Sequence, residues 1–269
     1  MVFIRQGAAA PRLNAYLLPS FPEDQLEPLK RAFELGTCAP FDPMLELVIK
    51  RAPADWEGKK HEYMRKAEDD AGRKEPFVVV DERGAGGRDS VVWYVERFAD
   101  EDEIDEGIAE STDVAWKIPV KTECLALMFV NYDIANMSLQ EDLGNLDVDF
   151  PVGPGYEVAE ADDCGGLDML AERASKAAYL VAEPGEFELS EDEALRDNFR
   201  PVPDRVARLH EDVARAAGLI SSWMIPGKAR PVELPDGTKK EFPEGSISLQ
   251  AKYNPDFAWP AYKWPEGSL

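Results

Sequence analysis

The chain has 269 residues, of which 44% are hydrophobic and 10% aromatic, a composition typical of a globular protein and not of a wholly disordered one. Its formal net charge of −23 at pH 7 repels phosphate backbones and anionic lipids, which argues against nucleic-acid or membrane partners. We find neither a signal peptide nor a membrane-spanning stretch, so the expected location is cytoplasmic, with the nucleus as the alternative.

The first part of the chain, residues 1–76, is predicted to be helical. Its helices are expected at residues 20–35, 43–50 and 56–71. Asp42 and Pro43 are typical of the start of the second helix. In the third, Glu57 and His61 have the four-residue spacing of a pair on an exposed face, so His61 is expected at the surface rather than in a catalytic site.

The middle region, residues 77–145, is predicted to be an acidic sheet core, which makes the fold class α+β. Its central, mostly antiparallel sheet covers about residues 77–132, with flanking N-terminal and C-terminal helices. Strands are expected at residues 77–80, 91–98, 115–122 and 125–130. In the third of these, Lys117 and Lys121 alternate with apolar residues and are expected on a solvated face of an edge strand. The fourth is apolar throughout and is expected to be the most buried strand.

The last part of the chain is predicted to contain a loop and helices over residues 146–218, followed by a hairpin and an aromatic tail over residues 219–269. Its clearest helices are expected at residues 168–181 and 204–217. A small hairpin is expected around Asp236 and Gly237. The tail is expected to lie extended over the core, or alternatively to bind a partner or cover a site. The whole chain is expected to form one domain.

The negative charge is concentrated in one segment. Residues 77–199 contain 8 Lys and Arg against 31 Asp and Glu, a net charge of −23, and residues 122–172 contain no basic residue at all. This asymmetry is compatible with a basic partner, and its alternative is that the charge serves solubility.

Sequence motifs for catalysis are absent. The chain has no phosphate-binding loop, dinucleotide fingerprint, nucleophile elbow or Cys/His cluster, and only 2 His and 3 widely separated Cys. We therefore expect no cofactor and no metal site, and a buried thiol at Cys124.

One polar turn follows the predicted strand 125–130, and Ser138 with Glu141 then has the spacing of a capping box that opens a helix. Because helix N-termini attract anions through their free N–H groups, this turn is the first candidate site for a ligand. The ligand-binding candidates are Asn131, Asn136 and Trp259, and the catalytic candidates are Tyr132 and Asp133. The alternative is that these side chains only fasten the turn.

Three stretches of the middle region carry a family resemblance: PFVVVDER at 76–83, VWYVERFADE at 92–101 and VNYDIANMS at 130–138. They resemble an uncharacterised family of fungal proteins, with distant bacterial relatives, that is classed as a domain of unknown function. The resemblance covers about residues 75–145 and implies a shared fold for this region. It implies no catalytic residues.

Two functions are favoured by these observations. The first is a non-catalytic intracellular acidic protein that binds a basic protein or a small-molecule ligand. The alternative is a small-molecule enzyme of secondary metabolism that uses carboxylate and tyrosine acid-base groups near residues 131–136, under the aromatic tail. A third, weaker hypothesis is divalent-cation binding by the acidic segment. The oligomeric state is left open.

Overall fold

The computed structural model describes residues 2–5, 10–37, 43–234, 237–257 and 262–269. Helices are mixed with antiparallel sheets, which confirms the α+β class. The chain forms two compact units. The larger unit contains Pro11–Thr37, Met44–Met169 and Tyr262–Leu269, and the smaller unit contains Met1–Ala10, Cys38–Pro43 and Leu170–Ala261. The single domain expected from the sequence stays a prediction.

Strands and helices alternate through most of the described residues. The strands are β1 (Phe3–Ile4), β2 (Arg12–Leu17), β3 (Glu46–Arg51), β4 (Phe77–Val80), β5 (Val91–Phe98), β6 (Ala115–Lys121), β7 (Ala177–Ala182), β8 (Phe187–Ser190), β9 (Val206–Leu209), β10 (Gly227–Lys228), β11 (Val232–Glu233), β12 (Lys239–Lys240) and β13 (Ile247–Lys252). The α-helices are α1 (Leu26–Thr37), α2 (His61–Asp70), α3 (Glu101–Asp105), α4 (Leu125–Asp133), α5 (Leu139–Asn145), α6 (Met169–Ser175), α7 (Glu193–Arg196) and α8 (Glu211–Ala216).

The larger unit is built around a five-stranded sheet with the strand order β3-β2-β4-β5-β6. β2 runs parallel to β3 and β4, whereas β4, β5 and β6 are joined by antiparallel pairings. α1 connects β2 to its parallel neighbour β3, and α2 connects β3 to β4, which lies on the other side of β2. The sheet is therefore mixed, and the expectation of a mostly antiparallel sheet holds only for β4 to β6.

The prediction that residues 1–76 are helical is wrong at β2 and β3. β3 occupies most of the segment predicted as the second helix, and Leu47, Val48 and Ile49 are buried there. A continuous apolar run of this kind is typical of a parallel strand covered on both faces. Asp42, the predicted start of that helix, lies outside the described residues. The first and third helices are confirmed as α1 and α2.

Residues 125–130 were expected to be the most buried strand, and this prediction is wrong because they form helix α4. A short run that is apolar all round fits a buried helix as well as a buried strand, and Leu, Ala and Met favour the helix. Burial itself is correct, since Leu125, Ala126, Met128 and Phe129 are all within the core.

β6 lies at the edge of the sheet, as predicted, but the expected solvated face is wrong at Lys117, while the Lys121 side chain at the strand end is 38% exposed. Residues 115–120 are all buried, and the Lys117 side chain is only 3% exposed. On this face Lys117 Nζ lies 3.6 Å from Glu62 Oε1 of α2. The loop that follows α5 covers the open edge of β6 instead, because Lys121 N donates to Asp162 O (2.9 Å) and Asp162 N donates to Pro119 O (2.8 Å).

The smaller unit contains an antiparallel sheet with the order β1-β7-β13-β10, the antiparallel pair β8-β9 and the hairpin β11-β12. Its core includes Val2, Leu180, Leu209 and Leu249. The β11-β12 pairing confirms the predicted hairpin, although Asp236 of its turn lies outside the described residues.

Two segments of this unit were each predicted as one helix, and each is a shorter helix joined to a strand. Residues 168–181 form α6 and then β7, and residues 204–217 form β9 and then α8. His210 has an extended backbone (φ −59°, ψ 144°) and separates β9 from α8. The helical apolar spacing across it was therefore coincidental, and pairing with β8 decides the conformation of β9.

Part of the aromatic tail packs on the larger unit. The rings of Tyr262 and Trp264 lie 5.8 and 5.7 Å from the ring of Phe33 in α1. Trp264 Nε1 also donates to Glu34 Oε1 (2.8 Å). Trp259 lies outside the described residues. Among the helices that the structure describes, none is long and apolar enough to cross a membrane.

Candidate functional site

A cleft of about 430 Å³ opens in the larger unit beside the polar turn singled out in the sequence. We call it the acidic cleft. Its described lining comes from α4, α5 and two connecting segments: Leu127, Met128, Asn131, Met137, Asp142, Asn145, Leu146, Asp162, Asp163, Cys164 and Gly165. This volume is within the range of small-molecule sites.

Local sequence signals place α5 against the cleft. Glu141 N donates to Ser138 Oγ (3.2 Å) and Ser138 N donates to Glu141 Oε2 (2.7 Å), which confirms the predicted capping box. Ala135, just after α4, has a φ of 54°, an uncommon value for a residue other than glycine. The chain thus turns sharply between α4 and α5, and Asp142 is directed back toward α4.

Tyr132 is bound to a carboxylate that sequence reasoning did not select. Its hydroxyl donates to Asp142 Oδ2 at 2.6 Å, and Asp142 is 8% exposed. Burial, this hydrogen bond and the charge of Asp142 raise the pKa of Tyr132 well above its ordinary value. Tyr132 therefore keeps its proton at neutral pH and cannot readily serve as a general base.

Asp162 is the second important carboxylate of the cleft. Its Oδ1 accepts a hydrogen bond from Cys164 N (3.0 Å). The pKa of Asp162 is higher than the ordinary value for Asp. Burial is the largest cause, and the negative charges of Asp142 and Asp163 add to it, whereas the hydrogen bond from Cys164 N lowers the pKa. Two partly buried negative charges thus repel each other across the cleft.

Counterions for these two carboxylates are missing in the described residues. Neither Asp142 nor Asp162 forms an ion pair with a Lys, Arg or His there, whereas Asp163 lies 3.5 Å from Lys121 Nζ. Partial burial of a carboxylate without a counterion costs free energy of folding. A positively charged ligand in the cleft would offset this cost.

The residues selected from the sequence are only partly brought together. Asn131 lines the acidic cleft, and Asn136 Nδ2 donates to Asn131 Oδ1 (3.3 Å) from an exposed position. Asp133 is exposed, so it does not share the buried environment of Tyr132. Trp259 cannot be placed, since it lies outside the described residues. The proposed roles of these residues stay predictions.

Cys164 has a thiol on the cleft wall. Its φ is 55°, and its Sγ lies 3.8 Å from the carbonyl oxygen of Cys124, which is buried as expected. The neighbouring Cys124 thiol and burial both raise the pKa of the Cys164 thiol, so it is protonated at neutral pH and contributes a weakly polar surface.

A separate buried cluster surrounds Lys117. Its Nζ lies 3.6 Å from Glu62 Oε1 and 5.1 Å from the centre of the Tyr156 ring. Burial lowers the pKa of Lys117, and the charge of Glu62 opposes this. The Tyr156 hydroxyl accepts from Lys117 N (2.8 Å) and donates to Lys117 O (2.6 Å). These contacts fasten β6 to the segment that covers it, which is a structural role.

His61 belongs to the same cluster, and the expectation that it pairs with Glu57 at the surface is wrong. Its ring lies 4.7 Å from the ring of Trp93, and burial together with the charges of Lys117 and Arg83 lowers the pKa of His61 to about 3. Glu57 Oε2 instead accepts from Ser20 N (3.0 Å). His61 is therefore neutral at physiological pH.

Several cleft residues carry no sequence signal. Asp142 could have been anticipated, because it follows the Ser138 capping box within the predicted helix. Asp162, Asp163 and Cys164 lie in a segment whose Gly, Pro and Asp content indicated only a loop. In the described ranges, no group of three or more His, Cys, Asp or Glu converges in a way that could hold a metal ion.

Comparison of the chain with protein-family models, with curated proteins and with solved structures found no match.

Proposed function

We propose that this protein is a non-catalytic binding protein whose acidic cleft receives the ammonium or guanidinium group of a basic partner protein. The observation that carries the proposal is the pair of partly buried carboxylates, Asp142 and Asp162, without a basic partner in the described residues. A cation placed between them would compensate both charges and relieve their mutual repulsion.

The walls of the cleft fit a lysine or arginine side chain. Leu127, Met128 and Leu146 offer apolar surface for the methylene groups, while the carboxylates meet the charged end. Met side chains adapt to different partners, as binding surfaces require.

The charge around the cleft also supports a basic partner. Residues 122–172 contain 12 carboxylates and no basic residue. Such a surface attracts a positively charged protein during encounter and raises the association rate, an effect that salt reduces. We also propose that the protein is cytoplasmic and related to the fungal family. The binding measurement below depends on neither.

Calorimetric titration with a lysine-rich peptide tests the proposal. The charged peptide should bind and should bind more weakly as salt is raised, whereas the same peptide with acetylated lysines should not bind. Asp162→Asn should weaken binding roughly tenfold, since a charge-assisted contact contributes about 1.5–3 kcal/mol. Asp149→Asn, an exposed carboxylate outside the described lining, is the matched control and should change affinity little.

Two results would contradict the proposal: equal binding of the charged and acetylated peptides, or equal effects of the two Asp→Asn changes. If the cleft bound small amines such as cadaverine but not the peptide, its ligand would be a small molecule and not a basic protein.

The alternative of a small-molecule enzyme is favoured by one observation, the 2.6 Å hydrogen bond between Tyr132 and Asp142. Tyr132→Phe keeps the ring and removes the hydroxyl. Under the binding proposal this variant retains peptide affinity within a few fold, because the carboxylates remain. If Tyr132→Phe abolished a turnover that the wild-type protein shows, the enzyme would be the better account.

A further inference from the structure

A pocket of about 450 Å³ in the smaller unit has the opposite charge to the acidic cleft. We call it the basic pocket. Its lining includes three cationic side chains, one hydroxyl and two apolar side chains: Arg5, Lys228, Arg230, Ser248, Val181 and Val232. Among the described residues that line it, none is acidic.

The register of the β1-β7-β13-β10 sheet explains why these groups meet. Val181 is opposite Phe3 on one side and Ser248 on the other, and Ser248 is in turn opposite Gly227. Residues opposite one another point to the same face, and so does a residue two positions further along a strand. Arg5, two residues after Phe3, therefore projects to the face that carries Val181 and Ser248.

This face is the outer face of the sheet. The alternate residues Leu180, Ile247 and Leu249 point the other way and belong to the core of the smaller unit. The backbone of Arg5 is held in place, because its N–H donates to Tyr179 O at 2.8 Å. The backbone at Arg5 therefore continues the pairing of β1 with β7.

Gly227 leaves room for the hydroxyl of Ser248. A Cβ at position 227 would lie 2.4 Å from Ser248 Oγ, which is far inside van der Waals contact. Absence of a side chain at Gly227 thus lets the hydroxyl reach the pocket.

The composition of the lining is the most informative observation. The chain has 53 acidic and 30 basic residues, so a cavity is expected to have more carboxylates than cations around it. The described lining of the basic pocket instead has three basic residues and no acidic one. Arg5, Lys228 and Arg230 are exposed, as unpaired cations elsewhere on the surface are, and they form no ion pair with any described residue. Their grouping at one pocket runs against the composition of the whole protein.

We propose that the basic pocket binds the phosphate group of a small phosphorylated molecule. Two guanidinium groups and a hydroxyl match a dianion with several acceptor oxygens, and guanidinium groups bind phosphate in a bidentate way. Lys228 is opposite Ile247, on the other face of the sheet, and so adds positive charge nearby without a direct contact. A carboxylate monoanion offers half the charge and two oxygens. Val181 and Val232 provide an apolar wall for the organic remainder of the molecule.

Calorimetric titration of the full chain with glycerol 3-phosphate is the direct test, with acetate as the monoanionic control. The phosphate ester should bind and acetate should not. Arg5→Gln and Arg230→Gln should each weaken binding roughly tenfold or more, because each removes a charge-assisted hydrogen bond of about 1.5–3 kcal/mol. Arg31→Gln, an exposed arginine of α1 without an ion pair in the described residues, is the matched control and should have no effect.

The pH dependence supplies a second readout. Affinity should rise as the pH passes through about 6, where the phosphate ester loses its second proton. Failure of glycerol 3-phosphate to bind at millimolar concentration would overturn the proposal, and so would equal weakening by Arg31→Gln. Binding only to vesicles that contain phosphatidic acid, with none of the soluble ester, would overturn the small-molecule assignment and point to a lipid headgroup.

Discussion

The acidic cleft and the basic pocket are almost equal in size, about 430 and 450 Å³, and opposite in charge. The acidic cleft agrees with its surroundings, since the segment that forms it has no basic residue between residues 122 and 172. The basic pocket disagrees with a chain whose net charge is −23. The net charge of the chain therefore influences how fast a charged partner associates. The charge of an individual binding site depends instead on the few side chains that strand register and helix ends place around it.

The largest expected effect concerns the contact between α1 and the start of α4. Gly36 in α1 packs on the backbone just before α4, and a Cβ there would lie 1.7 Å from the carbonyl oxygen of Glu123. Gly36→Ala should destabilise the larger unit by roughly 3 kcal/mol, because neither backbone can move without disturbing α4. Urea unfolding followed by circular dichroism measures this change.

Gly144 in α5 is the matched control. A Cβ there would meet Phe150 Cε2 at 4.0 Å, an ordinary contact. Gly144→Ala should therefore stabilise the protein by about 0.5–1 kcal/mol through helix propensity. Equal stability of the two variants would mean that the close approach of α1 to the start of α4 is described incorrectly.

Reversal of one charge in the basic pocket should have the next largest effect. Arg230→Glu replaces an attraction to phosphate by a repulsion and should weaken glycerol 3-phosphate binding more than about a hundredfold. Affinity for the lysine-rich peptide, measured in the same calorimeter, should change little. A comparable loss of affinity for the phosphate ester and for the peptide would show that the two sites do not bind independently.

The acidic cleft should lose its cation as pH falls. Because burial and neighbouring carboxylates raise the pKa of Asp162, this group protonates at a higher pH than an ordinary Asp. Peptide affinity should therefore decline on acidification already above the usual Asp range. In Asp162→Asn this part of the pH dependence should disappear, and its persistence would assign the decline to another group.

The smallest expected effect is on stability in the absence of a ligand. A carboxylate whose pKa is raised by folding is protonated more readily in the folded than in the unfolded protein, so stability falls as pH rises through that interval. Asp162→Asn should thus increase the melting temperature slightly at pH 7, and this gain should vanish below the ordinary Asp pKa. A lower melting temperature at pH 7 would indicate that a cation already compensates Asp162.

The sequence predicted the elements whose signals are local. Strands β4, β5 and β6, helices α1 and α2, and the capping box of Ser138 with Glu141 all depend on residues close in the chain. α4 and β9 were assigned wrongly because the apolar residues of each fit both a helix and a strand, and tertiary pairing makes the choice.

The sites were harder to predict than the elements, for a physical reason. Asp142 and Asp162 are 20 residues apart in the sequence, and Arg5 and Ser248 are further still, so no local pattern joins them. Asp142 is positioned by the α4–α5 turn, and Asp162 by its backbone pairing with β6. Arg5 and Ser248 are brought together by the pairing of β1, β7 and β13. The turn at residues 131–136 was recognised, but the carboxylates that give it a charge were not.

The central claim is that the acidic cleft holds a cation between Asp142 and Asp162. A calorimetric titration of the wild-type protein, Asp162→Asn and Asp149→Asn with the lysine-rich peptide at low salt tests it most directly. The predicted result is a roughly tenfold loss of affinity for Asp162→Asn and unchanged affinity for Asp149→Asn. Identical affinities for all three proteins would contradict the account.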